Sequence, residues 1–367
     1  MRIMNNYLKY IVLTCVLLMA SLPSVYAAGG TSEDGKVDVT GMVMDHVSDG
    51  YEWHIATWND THISIPLPVI LYSEQTGFHT FLSSHFHHGT EAYNGFYIAQ
   101  SGDYKGKIVE KNAAGEEIRP WDISITKNTL SLMMGSILLL IIILGVARWY
   151  KKNSKSEVPV APKGFVGFME MFIMDLVDNM IKPCIGKNYR KFTPYLLTAF
   201  FFIFLNNLMG LIPIFPGGAN VTGNISVTVV LALFTFFMVN FFGTKEYWKE
   251  IFWPDVPVWL KSPIMPIMPV IELVGVFTKP FALMIRLFAN ILAGHSIVLG
   301  LMSLIFVTAS MGAAVSGSMT FVSVLMTIFM NIVELLVAYI QAYVFTMLSA
   351  VFIGLAQVEP HHAKEKH

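Results

Sequence analysis

Four charged side chains stand alone in a stretch otherwise suited to lipid. From Ser262 to Val358 the only Lys, Arg, Asp or Glu residues are Glu272, Lys279, Arg286 and Glu334. An arginine at bilayer depth costs about 3 kcal/mol on insertion scales. Its pKa, above about 12, prevents it from escaping that cost by deprotonating. A chain that keeps such a charge is expected to use it on an ion or an ionisable partner. Glu272, Lys279 and Arg286 are spaced by seven, which puts them on one helical face with about 20° of drift per step. Asn290 follows Arg286 at i+4, and His295 lies about two and a half turns beyond Arg286. Glu334 and Gln341 are again seven apart on a later helix. The expected arrangement is one polar stripe, Arg286, Asn290 and His295 opposite Glu334 and Gln341. Intramembrane ionisable groups mark ion and proton paths. The plainer alternative is a set of satisfied structural pairs, for example Glu334 with His295.

The elements that must position these groups follow from composition. The chain is 54% hydrophobic and 13% charged, against about a quarter charged in soluble domains. The expected fold class is an all-α membrane protein with about five transmembrane helices in the mature chain. The net charge of −1 conceals segregation, with no Asp, Glu, Lys or Arg between Phe192 and Gly243, so it says nothing about a nucleic-acid partner. The first span is Leu130–Ala147, within 129–148. Arg148, Lys151, Lys152 and Lys155 follow it and place that end in the cytoplasm. The cytoplasmic loop 149–192 carries apolar residues at 3,1,3,1 spacing from Phe165 to Ile181, one face of an amphipathic helix. That helix lies along the membrane surface or binds a partner. The membrane core, 193–358, opens with spans at Tyr195–Ile212 and Ile225–Phe242. Lys245, Lys249 and Lys261 then mark the cytoplasmic side, with Trp248, Trp253 and Trp259 as an interfacial belt. Two runs of helical pattern, about Val270–Val307 and Thr320–Gln357, would each be roughly 57 Å long against a hydrocarbon core near 30 Å. They must tilt, bend or run partly in the membrane plane. Ser310–Ser318 is the expected turn of this antiparallel hairpin, and 359–367 a cytoplasmic tail.

The N-terminus has the form of an export signal over 1–27: Arg2 and Lys9, an apolar core Ile11–Ala20, and a small-residue exit at Ala27. With Cys15 removed, Cys184 alone remains, which precludes an intrachain disulfide. Residues 28–128 are polar, with turn clusters and short β-prone stretches at Thr61–Ile65 and Gly106–Glu110. They are expected to form an exported, periplasmic extension. His79, His85, His87 and His88 crowd together there, with His46, His54 and His62 upstream. Two readings stay open, a metal-binding cluster or solvent-exposed histidines, and the spacing fits no zinc pattern. No cofactor is expected.

The stretch Ile285–His295, IRLFANILAGH, closely resembles the signature of subunit a of F-type ATP synthases. So do Glu272–Pro280 (ELVGVFTKP), Tyr339–Phe345 (YIQAYVF) and Leu205–Pro213 (LNNLMGLIP). The resemblance covers roughly Gly164–Val358. It implies that Arg286 is the essential arginine facing a ring of c subunits. Asn290, His295, Glu334 and Gln341 then line aqueous half-channels, and Glu272 is an acid nearer the cytoplasmic side. Histidine stands on the first long helix and glutamate on the second, one of the two orders that members use. The implied function is proton translocation coupled to rotation and ATP synthesis in the bacterial cell inner membrane. Its partners would be the c ring, the b subunits of the peripheral stalk and the rest of the complex. No nucleotide-binding loop is present, so the chain itself is not expected to be an enzyme. The rival from another class is an independent ion channel or secondary transporter. The sequence shows neither the internal repeat nor the broken helices typical of the latter.

Overall fold

A computed structural model describes residues 48–58, 61–112, 115–153, 161–212, 217–252, 267–308 and 312–357. The export signal, His46, Trp253, Trp259, Lys261 and the tail lie outside the described residues. The chain divides into two units, Gly50–Ile125 and one beginning at Thr126.

The first unit is built of strands, so the all-α expectation applies only to the second. β1 (Glu52–Trp58) and β2 (Thr61–Pro66) form an antiparallel pair. β3 (Pro68–Ser73), β4 (Gly77–Leu82) and β8 (Trp121–Asp122) form a sheet of order β4-β3-β8. β5 (Phe96–Ile98), β6 (Ile108–Lys111) and β7 (Glu117–Ile118) form another. The β-prone stretches at Thr61–Ile65 and Gly106–Glu110 fall on β2 and β6. The physical reason is the β-branched residues in both stretches, which fit a pleated sheet better than a helix. Along β3, Val69, Leu71 and Ser73 are buried while Tyr72 is exposed. Val69 and Leu71 join Tyr51, Phe86, Phe96 and Ile108 in one apolar core.

Two polar ties close this core. Ser73 donates to the buried Glu110 carboxylate at 2.7 Å. Tyr51, 5% exposed, donates to Asp122 Oδ2 at 2.5 Å. Burial, and then the adjoining Asp122 carboxylate, raise the Tyr51 phenol above the usual tyrosine value. A raised phenol pKa stabilises the folded unit fully below the unfolded value near 10, and that contribution is lost as pH rises through the folded value. Tyr51→Phe is therefore expected to cost about 1 kcal/mol at neutral pH and to flatten the alkaline loss. Limited proteolysis of the unit between pH 8 and 11 checks both.

The second unit is helical. Among the described residues, four helices are long and apolar enough to cross a membrane: Lys127–Asn153, Phe165–Leu211, Pro269–Thr308 and Ala314–Ala356. A fifth is reached if Ile225–Phe241 and Lys245–Phe252, bent by 99°, count as one span. We label Lys127–Asn153 α1, Phe165–Asp175 α2, Tyr189–Leu211 α3, Ile225–Phe241 α4, Lys245–Phe252 α5, Ile267–Thr308 α6 and Ala313–Ala356 α7. Between α2 and α3 a π-helical stretch, Leu176–Ile181, leads into the turn Lys182–Ile185. Of the residues at 3,1,3,1 spacing, Met169, Leu176, Met180 and Ile181 are buried, whereas Phe165 and Phe168 are exposed. Asn224 caps α4, its side chain accepting from the Ser226 amide at 2.9 Å.

The two long helices exceed their expected lengths, at 42 and 44 residues. α6 runs unbroken through Pro269 and Pro280. α7 starts at Ala313, so most of the expected Ser310–Ser318 turn is helix. Gly312, at φ 99°, precedes that start in a conformation that favours glycine. The small residues there permit a turn without requiring a long one. α6 and α7 pack together, and α3 and α4 pack against them. Their shared core includes Phe200, Ile203, Leu283, Leu287, Ile291 and Phe345.

Candidate functional site

The inward row of α6 is Val276, Leu283, Leu287 and Ile291, all buried. Spacings of seven and four keep this row on one face. His295 is the next position at i+4 and shares that face. Arg286 is nine residues earlier, and nine steps of about 100° make two and a half turns, which leaves it on the opposite side. Arg286 and Asn290 are accordingly exposed, with Ile285, Ala289 and Ala293 around them.

The single polar stripe is therefore corrected. The helix carries Arg286 and Asn290 outward, while His295 turns inward toward Glu334. Two and a half turns is a half-turn of rotation, and a stripe cannot absorb it.

No hydrogen bond or ion pair engages the Arg286 guanidinium among the described residues. Lys279 on the same helix lies over the Phe352 ring, 5.9 Å from its centroid. Glu272 is half-buried.

On the inward side, His295 Nδ1 lies 3.0 Å from Glu334 Oε1. The Glu334 side chain is 6% exposed and that of His295 20%. The imidazole nitrogen and the carboxylate oxygen thus sit at proton-transfer range. Gln341 is buried on the same helix. The pair lines a small cavity with Asn206, Asn207, Gly210, Asn220 and Thr222. That cavity has room for about one water molecule.

Polar side chains from α3 and the loop after it hold the cavity together. Thr222 donates to Asn207 Oδ1 at 2.5 Å. Asn207 Nδ2 donates in turn to the Ala338 carbonyl at 3.3 Å. Ala338 lies one turn beyond Glu334, so Asn207 fixes the part of α7 that presents the carboxyl group. Asn206 donates to the Phe202 carbonyl at 2.7 Å, while its buried Oδ1 has no partner among the described residues.

Gly294 admits the ionisable pair, whereas Gly210 makes only ordinary contact with it. A methyl group on Gly294 would lie 3.1 Å from Glu334 Oε1, and one on Gly210 would lie 3.6 Å from His295 Nε2. Gly294→Ala gains about 1 kcal/mol of helix propensity but must displace the carboxylate by a few tenths of an ångström. The expected result is a fully assembled protein with several-fold slower proton flux, read by pH-dye quenching in vesicles.

Sequence reasoning named Arg286, Asn290, His295, Glu334, Gln341 and Glu272. The structure brings His295 and Glu334 together and sets Arg286 and Asn290 apart from them. Asn207, Asn220, Thr222, Gly210 and Gly294 were missed as site residues. The signal for the polar three was present, since they lie in the segment without charge between Phe192 and Gly243.

The histidines of the first unit are engaged locally. His85 stacks on Tyr93 with centroids 4.3 Å apart, and His79 meets Phe96 edge-on at 5.1 Å. His88 Nδ1 lies 2.7 Å from Glu52, and His87 Nε2 3.7 Å from Glu91. Among the described residues, no three His, Cys, Asp or Glu side chains are grouped to hold a metal ion. The side chains of His54 and His62 lie outside the described residues.

Comparison with known proteins adds two family models and three relatives. A family model described as ATP synthase A chain matches residues 131–354. A second, described as a domain of unknown function (DUF8433), matches residues 42–125 and so coincides with the strand-built unit. ATP synthase subunit a 2 of Chlorobaculum tepidum is 44% identical over 240 residues, covering 65% of this chain and 65% of the relative. ATP synthase subunit a of Chloroherpeton thalassium is 39% identical over 251 residues, covering 68% and 72%. ATP synthase subunit a of an Anaeromyxobacter species is 34% identical over 352 residues, covering 94% and 76%.

Proposed function

Since the chain belongs to the subunit a family of ATP synthases, we propose that it is the stationary proton path of an F-type ATP synthase. In this reading it sits in the inner membrane of a bacterial cell, with two half-channels leading to a c-subunit ring. Proton flow through them drives rotation and ATP synthesis. The b subunits of the peripheral stalk and the rest of the complex are its other partners. Residues 1–27 are removed on export, 28–128 stand in the periplasm, 129–148 cross first, and 149–192 form the cytoplasmic loop. Residues 193–358 hold the channel, and 359–367 are a cytoplasmic tail. The chain performs no catalysis of its own.

One observation carries this reading. α6 presents Arg286, without an ion pair among the described residues, on its outer face, and on its inner face His295, which meets Glu334 of α7. A carboxylate on a rotating neighbour is costly to ionise in lipid, so it must carry a proton while facing the bilayer. Opposite Arg286 the fixed positive charge favours the ionised form, and the proton leaves through one half-channel. A new proton arrives from the other, where His295 and Glu334 relay it through the cavity beside Asn207. Asn290 and Gln341 line the path, and Glu272 serves nearer the cytoplasmic end. Arg286 also repels protons that would otherwise leak from one half-channel to the other. A potential of 100 mV supplies about 2.3 kcal/mol per charge, so several protons must act for each ATP.

Disulfide scanning tests the geometry. Ala289→Cys, on the Arg286 face, is expected to cross-link to cysteines placed along the carboxylate-bearing helix of the c subunit. A cysteine at the buried Leu283 is expected not to. If no position on the Arg286 face cross-links, this face does not meet the ring and the independent transporter becomes the better reading.

A further inference from the structure

The β4-β3-β8 sheet of the first unit buries one face and leaves the other bare. Tyr72 pairs with Phe78 on one neighbour and with Trp121 on the other. These three aromatic rings form a row across three strands and are 50%, 67% and 69% exposed. Ile123 donates its amide to the Ile70 carbonyl at 3.0 Å, which continues the face along the edge, and it is 68% exposed. Leu82, opposite Pro68, completes the surface. Thr80 is the one polar side chain among these positions, and none of them carries a charge. Single exposed hydrophobic residues are ordinary. A contiguous uncharged sheet face marks a docking surface.

We propose that this face docks into the headgroup interface of the bilayer that α1 crosses. The chain itself enforces the reach. Ile123 precedes Lys127, the first residue of α1, by four residues, which span at most about 14 Å. Every molecule therefore holds the end of this face beside the membrane surface, at a high effective concentration that a separate protein partner would not share. The chemistry agrees, because Trp and Tyr are the side chains that settle at the headgroup level, with an apolar ring on one side and a polar edge toward water. A face without charge loses no ion hydration on entering that layer. The inference requires that α1 crosses the bilayer and is independent of the proton-path reading.

The test uses the full chain in vesicles of phosphatidylethanolamine and phosphatidylglycerol, with Cys15 and Cys184 replaced by Ser. One nitroxide label is placed at Thr80→Cys on the face, and another at Asp103→Cys in an exposed turn. Collision with oxygen, which partitions into lipid, is compared with collision with a water-soluble nickel chelate. The expected result is an oxygen-to-nickel ratio several-fold higher at Thr80 than at Asp103. A Thr80 label as open to nickel as the Asp103 label means that the face lies in water and overturns the proposal. A Thr80 label shielded from both reagents means that protein covers it, either residues 28–47 or a second copy, and overturns it equally. Protease resistance of the labelled unit, measured in the same vesicles, reports in each case that it has folded.

Discussion

Inverted membrane vesicles carrying Arg286→Ala are expected to show no ATP-driven acidification at wild-type levels of assembly. The guanidinium is exposed and without a protein partner among the described residues, so its removal breaks no internal contact and assembly should survive. What is lost is the charge that permits a neighbouring carboxylate to ionise at membrane depth. An intramembrane charge costs about 3 kcal/mol on insertion scales. At about 1.4 kcal/mol per tenfold change in rate, that loss slows the transfer step by about two orders of magnitude. Passive leak is the second readout, and under the proposed mechanism it should stay constant or rise because the electrostatic barrier between half-channels is removed. Arg286→Lys is expected to fail as well, since lysine can lose its proton in a dry site and lacks the planar fork. Retained pumping in either variant, with the complex intact, would remove Arg286 from the mechanism.

How much of this was legible can be judged from particular residues. The spans were readable because hydrophobic runs and flanking lysines report directly on a bilayer. α4 is an instructive marginal case: its 17 residues reach only about 26 Å, and it needs the bent α5 to count as a span. The pairing of His295 with Glu334 was readable as a chemical possibility, since both are rare at that depth. Its separation from Arg286 was readable too, from nine residues of spacing, but treating all polar positions as one stripe obscured the half-turn. Asn207 was harder to assign. An asparagine in a span is ambiguous until the carbonyl it holds, that of Ala338, is known to come from a helix 131 residues away in sequence. Gly294 was silent for a related reason, because a glycine that makes room is recognisable only from what fills the room. Strands of the first unit were visible as short β-prone stretches at Thr61–Ile65 and Gly106–Glu110. Their order, and hence the bare aromatic face, depends on long-range pairing that periodicity does not encode.

The second large effect falls on the inward pair. Glu334→Gln keeps the shape of the side chain and removes its ability to exchange a proton. His295→Ala removes the other titratable partner and enlarges the cavity. Each is expected to lower both passive and ATP-driven proton flux by on the order of 10², the lower end of what a positioned acid or base contributes. Slower flux alone would also follow from a disturbed fold, so the deciding variant exchanges the two groups. With Nδ1 and Oε1 only 3.0 Å apart, His295→Glu combined with Glu334→His leaves one carboxyl and one imidazole in the same cavity. A relay needs both groups but is indifferent to which helix carries each, so the exchange should recover a substantial part of the flux that either substitution to the neutral form abolishes. A purely structural pair makes the opposite demand, since its contacts depend on the shape of each side chain at its own position. If the exchanged protein conducts no better than Glu334→Gln while assembling normally, or if Glu334→Gln conducts as wild type, the proton takes another route and the pair serves only to join α6 to α7.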